Sequence, residues 1–276
     1  MGMMYRSHRR VVQFSVLVFV FLVPVLNLFE IYAVTGTLYA VNIGGLSVTD
    51  PVVILQAVFA SGRLTVLLLG AALFPVLFAL VFGRVWCGWM CPYHLLADGA
   101  AEVRRFFGER VLRRPLEKAL PVKSSFKANA VRLSFLLFGT ALAGAISIPV
   151  LNYVHAPGIF STEAMIFVKE RSLSPEFLFI AALLVMETAV LPRFWCRLFC
   201  PTGSFLSLFR APFTMTVINK VKAVRSPCCT ENHCSAVCPM GLAPFKEGGN
   251  LLCTNCAQCL DACPQSRLHF GGFGSK

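Results

Sequence analysis

The sequence predicts an all-α membrane protein in which a two-helix unit is duplicated to give four transmembrane helices, followed by a small cysteine-rich domain at the C-terminal end. Three observations predict this. Of the 276 residues, 57% are hydrophobic and only 14% charged; soluble domains carry roughly 25% charged residues, so an ordinary soluble enzyme is excluded. Four apolar stretches, Val11–Ala33, Leu64–Phe82, Val131–Leu151 and Phe177–Leu191, approach the about 20 helical residues that cross a hydrocarbon core. The twelve cysteines are unevenly placed, none before Cys87 and eight between Cys228 and Cys263. A disulfide scaffold of the small secreted type is thereby excluded.

The first span follows the basic segment Tyr5-Arg6-Ser7-His8-Arg9-Arg10, the layout of a signal peptide. Its apolar run is too long for one, and no small-x-small cleavage site follows it, so it reads as a retained helix. Charge then orients the spans, because Lys and Arg stay on the cytoplasmic side. The first ten residues carry 3 basic residues, Arg84–Arg132 10 and the tail from Arg193 9, together 22 of the 25, whereas Val34–Arg63 and Asn152–Glu176 carry 1 and 2. Both termini and the loop 84–132 are therefore expected in the cytoplasm, with two lightly charged loops outside. The net charge of +12 reads as a record of topology rather than a nucleic-acid footprint, since no nucleic-acid module is present. The basic cluster Arg104, Arg105, Arg110, Arg113, Arg114 and Lys118 suits loop retention and contact with anionic headgroups. The domains are expected at 1–218, for the membrane part, and 219–276.

Spans two and four end in the same pattern, R-x-W-C-x3-C-P. It runs from Arg84 through Trp86, Cys87 and Cys91 to Pro92, and again from Arg193 through Trp195, Cys196 and Cys200 to Pro201. This repeat is the basis for the duplication, and the two tryptophans are expected to act as interfacial aromatics. Three readings stay open for Cys87, Cys91, Cys196 and Cys200. They form a redox dithiol in each motif, or a joint metal or cluster site, or structural thiols at helix ends. Haem attachment of the c type is excluded, as no C-x-x-C-H occurs.

The strongest motif is Cys253-x2-Cys256-x2-Cys259-x3-Cys263-Pro264. This is the bacterial ferredoxin run, in which three close thiolates wrap one [4Fe–4S] cube and the fourth reaches a second cluster. Zinc ligation uses C-x2-C pairs set farther apart. Upstream, Cys228, Cys234 and Cys238-Pro239 fit positions one, three and four of the same run, with Glu231 at position two and Cys229 as a substitute ligand. Two [4Fe–4S] clusters with crossed ligation are expected: Cys228, Cys229, Cys234 and Cys263 on one, Cys253, Cys256, Cys259 and Cys238 on the other.

With its four spans, paired C-x3-C-P motifs and ferredoxin-like tail, the chain resembles the NapH/MauN-type membrane ferredoxins over nearly its whole length. Glu231 departs from the pattern and bears on the first cluster. The resemblance implies an electron-transfer subunit of the bacterial inner membrane, a component of a quinol dehydrogenase rather than a stand-alone enzyme. It would exchange electrons between quinol and a periplasmic system of nitrate reductase or methylamine dehydrogenase type, in a complex with another ferredoxin-type or periplasmic protein. Two other classes compete: a maturation or redox-maintenance factor for a periplasmic metalloenzyme, and a structural anchor. For proton or quinone chemistry the candidates are Glu187 and Glu30, carboxylates in or at the edge of spans, and His94 beside the first motif. His155, in an expected external loop, has no evident partner in the sequence.

Overall fold

Helix ends in this chain are set by capping residues as much as by hydropathy. In the computed structural model, which describes residues 4–110, 125–189, 193–219, 233–244, 250–263 and 267–272, the chain is mostly helical. Helix α1 (Met4–Leu28) takes in the basic segment and stops before Glu30, which lies exposed in a turn with φ 60°. Helices α3 (Val66–Phe82), α5 (Ser125–Ile146) and α7 (Glu176–Ala189) occupy the other three apolar stretches. Thr65 caps the start of α3 by accepting from the Leu68 amide, and Gly83, at φ 65°, ends it. By length and apolarity α1 and the 128–146 part of α5 can cross a membrane. At 17 and 14 residues, α3 and α7 are shorter than that.

The two segments expected to be external loops are structured, and both double back into the molecule. After α1, strands β1 (Val34–Thr37), β2 (Ala40–Ile43) and β3 (Leu46–Thr49) form an antiparallel meander. Its first turn carries the buried Tyr39. The meander leads into α2 (Pro51–Ser61), capped by Asp50, whose carboxylate accepts from the Val52 amide at 2.8 Å. In the second half a 3-10 turn (Val150–Val154) leads into α6 (Ala156–Glu170). Leu151 in that turn lies directly on Gly139 of α5, where a Cβ would come within 2.3 Å of it. Both halves thus run long helix, returning segment, short helix, second apolar helix, cysteine motif. The halves interlock, since α1 packs on α6 and α2 on α5.

A five-residue π turn (Trp86–Met90) leads into α4 (Pro92–Arg110), and α8 (Phe194–Leu198) leads into α9 (Pro201–Leu206). Beyond them, β4 (Met215–Asn219) pairs antiparallel with β5 (Leu268–Gly272). Together with α10 (His233–Ala236) and α11 (Gln258–Asp261) these strands frame the C-terminal cysteines. This part is pinned to the helices. Asn255 donates from Nδ2 to the carbonyls of Phe82 and Met215 at 3.0 and 2.8 Å, and the Tyr5 and Arg6 amides donate to Asp261.

The structure corrects the reading of basic residues as topology signals alone. Arg9, Arg84, Arg132 and Arg193 are buried and bonded inside the fold. Arg9 and Arg193 both pair with Asp98 of α4, tying α1, α4 and the second cysteine motif together. Arg84 donates to the carbonyls of Leu251 and Leu252, tying the first motif to the C-terminal part. A buried cation is tolerated only with such partners.

Candidate functional site

Each cysteine motif turns its chain the same way. The Cys91 amide donates to the Trp86 carbonyl at 3.0 Å, and the Cys200 amide donates to the Trp195 carbonyl at 2.9 Å, in both copies a bond spanning five residues. This wide turn, a geometry that recurs at functional sites, is followed at once by a proline that starts the next helix. Proline suits that position, because its missing N–H has no intrahelical partner there anyway.

The two turns meet. Cys87, Cys91, Cys196 and Cys200 line one small chamber, with Trp86, Tyr93, His94, Pro157 and Thr254 among its other walls. The starts of α4 and α6 border it through Tyr93, His94 and Pro157, and a helix N-terminus favours negative charge. Burial, and then the neighbouring thiols, push Cys91 and Cys200 up to about 12. Burial, followed by Glu187, pushes Cys196 up as well. As bare side chains they are thiols, and a metal centre would take them as thiolates with release of protons.

Two observations test whether these residues fit an iron–sulfur cluster. Among the described residues no three His, Cys, Asp or Glu side chains come close enough to share a single metal ion. A cube needs no such convergence, because each of its irons takes a separate thiolate. Two buried polar atoms in the chamber wall, His94 Nε2 and Thr254 Oγ1, have no hydrogen-bond partner. Cluster sulfides are acceptors for donors of that kind. The four thiols therefore fit a cluster.

The C-terminal cysteines lie one layer away. Gly88, between the first pair of thiols, packs so tightly on the ferredoxin run that a Cβ there would sit 2.5 Å from the Thr254 carbonyl oxygen and 3.4 Å from Cys256. Trp89 donates from Nε1 to the Asn255 carbonyl at 2.9 Å. Burial, and then the thiols of Cys256, Cys253, Cys238 and Cys234, push Cys259 well above the usual thiol range. Cys234, Cys259 and Cys263 share one buried cluster with Val217 and Leu268, and Cys253 packs against it. Cys228, Cys229 and Glu231 lie outside the described residues.

Of the three proton and quinone candidates, His94 and Glu187 lie at the chamber and Glu30 does not. His94 is 1% exposed in the chamber wall, and burial, then Arg193, holds it well below the usual imidazole range. Glu187 is buried and accepts from the Trp195 amide. Glu30 lies exposed beyond α1, away from both. Trp195 is buried rather than interfacial, 7% exposed within a stack of aromatic rings, and the half-buried Trp86 walls the chamber edge-on to Tyr39. His155 does have partners. It is buried, with Nε2 2.6 Å from Thr202 Oγ1 and 3.6 Å from Asp50 Oδ2. Sequence reasoning missed that Asp50, His155 and Thr202 meet; their shared signal was a polar residue set just before or after a proline that opens a helix, at Asp50-Pro51, His155-Ala156-Pro157 and Pro201-Thr202.

Comparison with known proteins agrees with this geometry. A family model described as a 4Fe-4S binding domain matches twice, over residues 64–113 and 173–215, the stretches that carry the C-x3-C-P turns. The chain is 29% identical over 232 residues to the ferredoxin-type protein NapH of Escherichia coli, covering 79% of this chain and 72% of that protein. It is 30% identical over 227 residues to the methylamine utilization ferredoxin-type protein MauN of Methylorubrum extorquens, covering 82% and 63%. An uncharacterised protein of Methanocaldococcus jannaschii is 27% identical over 199 residues, covering 72% and 68%. No solved structure matches.

Proposed function

Because the chain is a homologue of the NapH and MauN ferredoxin-type proteins, we propose that it is a membrane-bound iron–sulfur electron carrier with three clusters in series. Two are held by the C-terminal cysteines, in the ligand sets read from their spacing, and the third by Cys87, Cys91, Cys196 and Cys200. The observation that carries this reading is the meeting of four thiols from two sequence-distant turns in one chamber, with Gly88 of the first turn packed against Thr254 and Cys256 of the ferredoxin run. When bound, such clusters accept and give up single electrons. The chain's own residues hold them close, exclude water and keep the supporting charges paired through Arg9, Asp98 and Arg193.

The electron donor or acceptor at the membrane is the quinone pool, and the protein serves as one subunit of a larger redox complex. In this reading α1, α3, α5 and α7 cross the bacterial inner membrane, and both termini and the cysteine turns face the cytoplasm. The shorter α3 and α7 pack on α2 and α6 respectively.

The test is an iron and acid-labile sulfide count on anaerobically purified protein. About 12 irons per chain are expected in the native protein and about 8 after Cys87→Ser with Cys196→Ser. An unchanged count in the double variant overturns the third cluster. A native count of about 4 overturns the pair at the C-terminus.

A further inference from the structure

The loop that carries the ferredoxin run also supplies a wall of the cysteine chamber. Thr254 stands between Cys253 and Cys256 in the sequence, yet it lines the chamber of Cys87, Cys91, Cys196 and Cys200. The first cysteine motif holds it there from both sides. Arg84 donates from Nη1 to the carbonyls of Leu251 and Leu252, just before it, and Trp89 donates from Nε1 to the carbonyl of Asn255, just after it. Asn255 itself is fully buried and left-handed at φ 51°, a conformation that asparagine tolerates better than most residues. The place of Thr254 is therefore fixed by contacts made outside its own loop.

Its hydroxyl has no structural use. A threonine in a loop commonly returns its hydroxyl to a nearby backbone group. Thr254 is 2% exposed, and among the described residues Oγ1 meets no hydrogen-bond partner. Arg84, in the same chamber wall, is equally buried and its Nε is also without a partner. An arginine nitrogen can only donate, and a hydroxyl always carries a proton. Unpaired buried donors are costly, so these two point to an acceptor inside the chamber. Thiols accept weakly. The sulfurs of an iron–sulfur centre accept well, and hydrogen bonds to them help to set its reduction potential.

We propose that the Thr254 hydroxyl donates a hydrogen bond to the sulfur shell of the cluster held by Cys87, Cys91, Cys196 and Cys200 and raises its reduction potential, so that the loop wrapping one cluster tunes the next. This rests on the electron-carrier reading above and adds which side chain sets the potential of the third cluster. Reduction brings one electron to the centre and moves no proton: the hydroxyl keeps its hydrogen, and its bond strengthens as the sulfurs gain negative charge. Arg84 is already engaged in holding the loop, and His94 Nε2 donates in only one of its neutral tautomers. Thr254 is the donor that is free to serve the centre.

The experiment is stepwise reduction of anaerobically purified full-length protein with dithionite, followed by electron paramagnetic resonance of the signal that Cys87→Ser with Cys196→Ser removes. Thr254→Val keeps the side-chain shape and is expected to weaken the reduction equilibrium about three- to tenfold, the scale of one hydrogen bond, which lowers the midpoint by roughly 30–60 mV at about 59 mV per tenfold. Thr254→Ser is expected to restore the midpoint. A midpoint unmoved in Thr254→Val, or lowered equally in Thr254→Ser, overturns the proposal. If Thr254→Val loses its iron, protein grown on threonine deuterated at Cβ and Cγ decides, in a Thr202→Ser background that leaves Thr254 the one labelled threonine among the described chamber walls. Deuteron coupling to the reduced centre is expected, and its absence overturns the proposal. About 12 irons with an unmoved midpoint sink the tuning role alone, whereas a native count of about 8 sinks the third cluster and the tuning with it.

Discussion

At Gly88 and Asp98 single side chains decide how the parts of this protein are joined. Gly88 leaves no room for a methyl group: its Cβ would overlap the Thr254 carbonyl, and carbonyls do not move aside as side-chain tips do. Gly88→Ala is therefore expected to cost about 1–3 kcal/mol, read as a lower melting temperature together with faster loss of iron from the C-terminal part. Asp98 is the shared partner of two buried arginines. Burial alone would raise its carboxyl, but Arg193, His94 and Arg9 outweigh it and hold the group down at about 2. A depressed carboxylate stabilises the fold above the ordinary Asp range near pH 3.9, and that contribution fades as pH falls through about 2. It amounts to about 2 kcal/mol. Asp98→Asn should remove it at neutral pH and flatten the acid limb of a thermal unfolding profile; an unshifted profile would contradict this.

At the scale of elements, the cysteine turns were legible and the short helices were not. R-x-W-C-x3-C-P announces both turns through its spacing, because a proline after the second cysteine must start a helix or leave one. The apolar run of α2 spans only 11 residues, too few to register as a membrane helix, and the strands before it are four residues each. The partners of His155 were hidden because Asp50 and Thr202 lie 105 and 47 positions away in the chain. No local pattern encodes contacts of that kind. The junction between layers rests on Asn255, which joins the end of α3 to β4 through its amide. Asn255→Ala leaves two part-buried carbonyls without this donor, at about 1–2 kcal/mol in total. The C-terminal part should then be released early in limited proteolysis, before the helices are cut.

At the scale of the molecule, the duplication is not two domains side by side. Because α1 packs on α6 and α2 on α5, each half completes the other. A chain cut between residues 111 and 124, expressed as two pieces, is expected to copurify as one complex in detergent; separation of the pieces would contradict the interlocked packing. Composition, hydropathy and cysteine spacing determined by themselves that the chain is apolar and helical, that it carries a repeated cysteine turn, and that its tail holds a ferredoxin run. Those properties are local, written in residue type and in intervals of a few positions. Tertiary structure alone decided that the four turn cysteines share one chamber, that the repeat arginines are buried struts, and that Asp50, Thr202 and His155 meet. Each of these depends on how two halves more than a hundred residues apart interlock, and that is settled by packing and burial, which no interval in the sequence records.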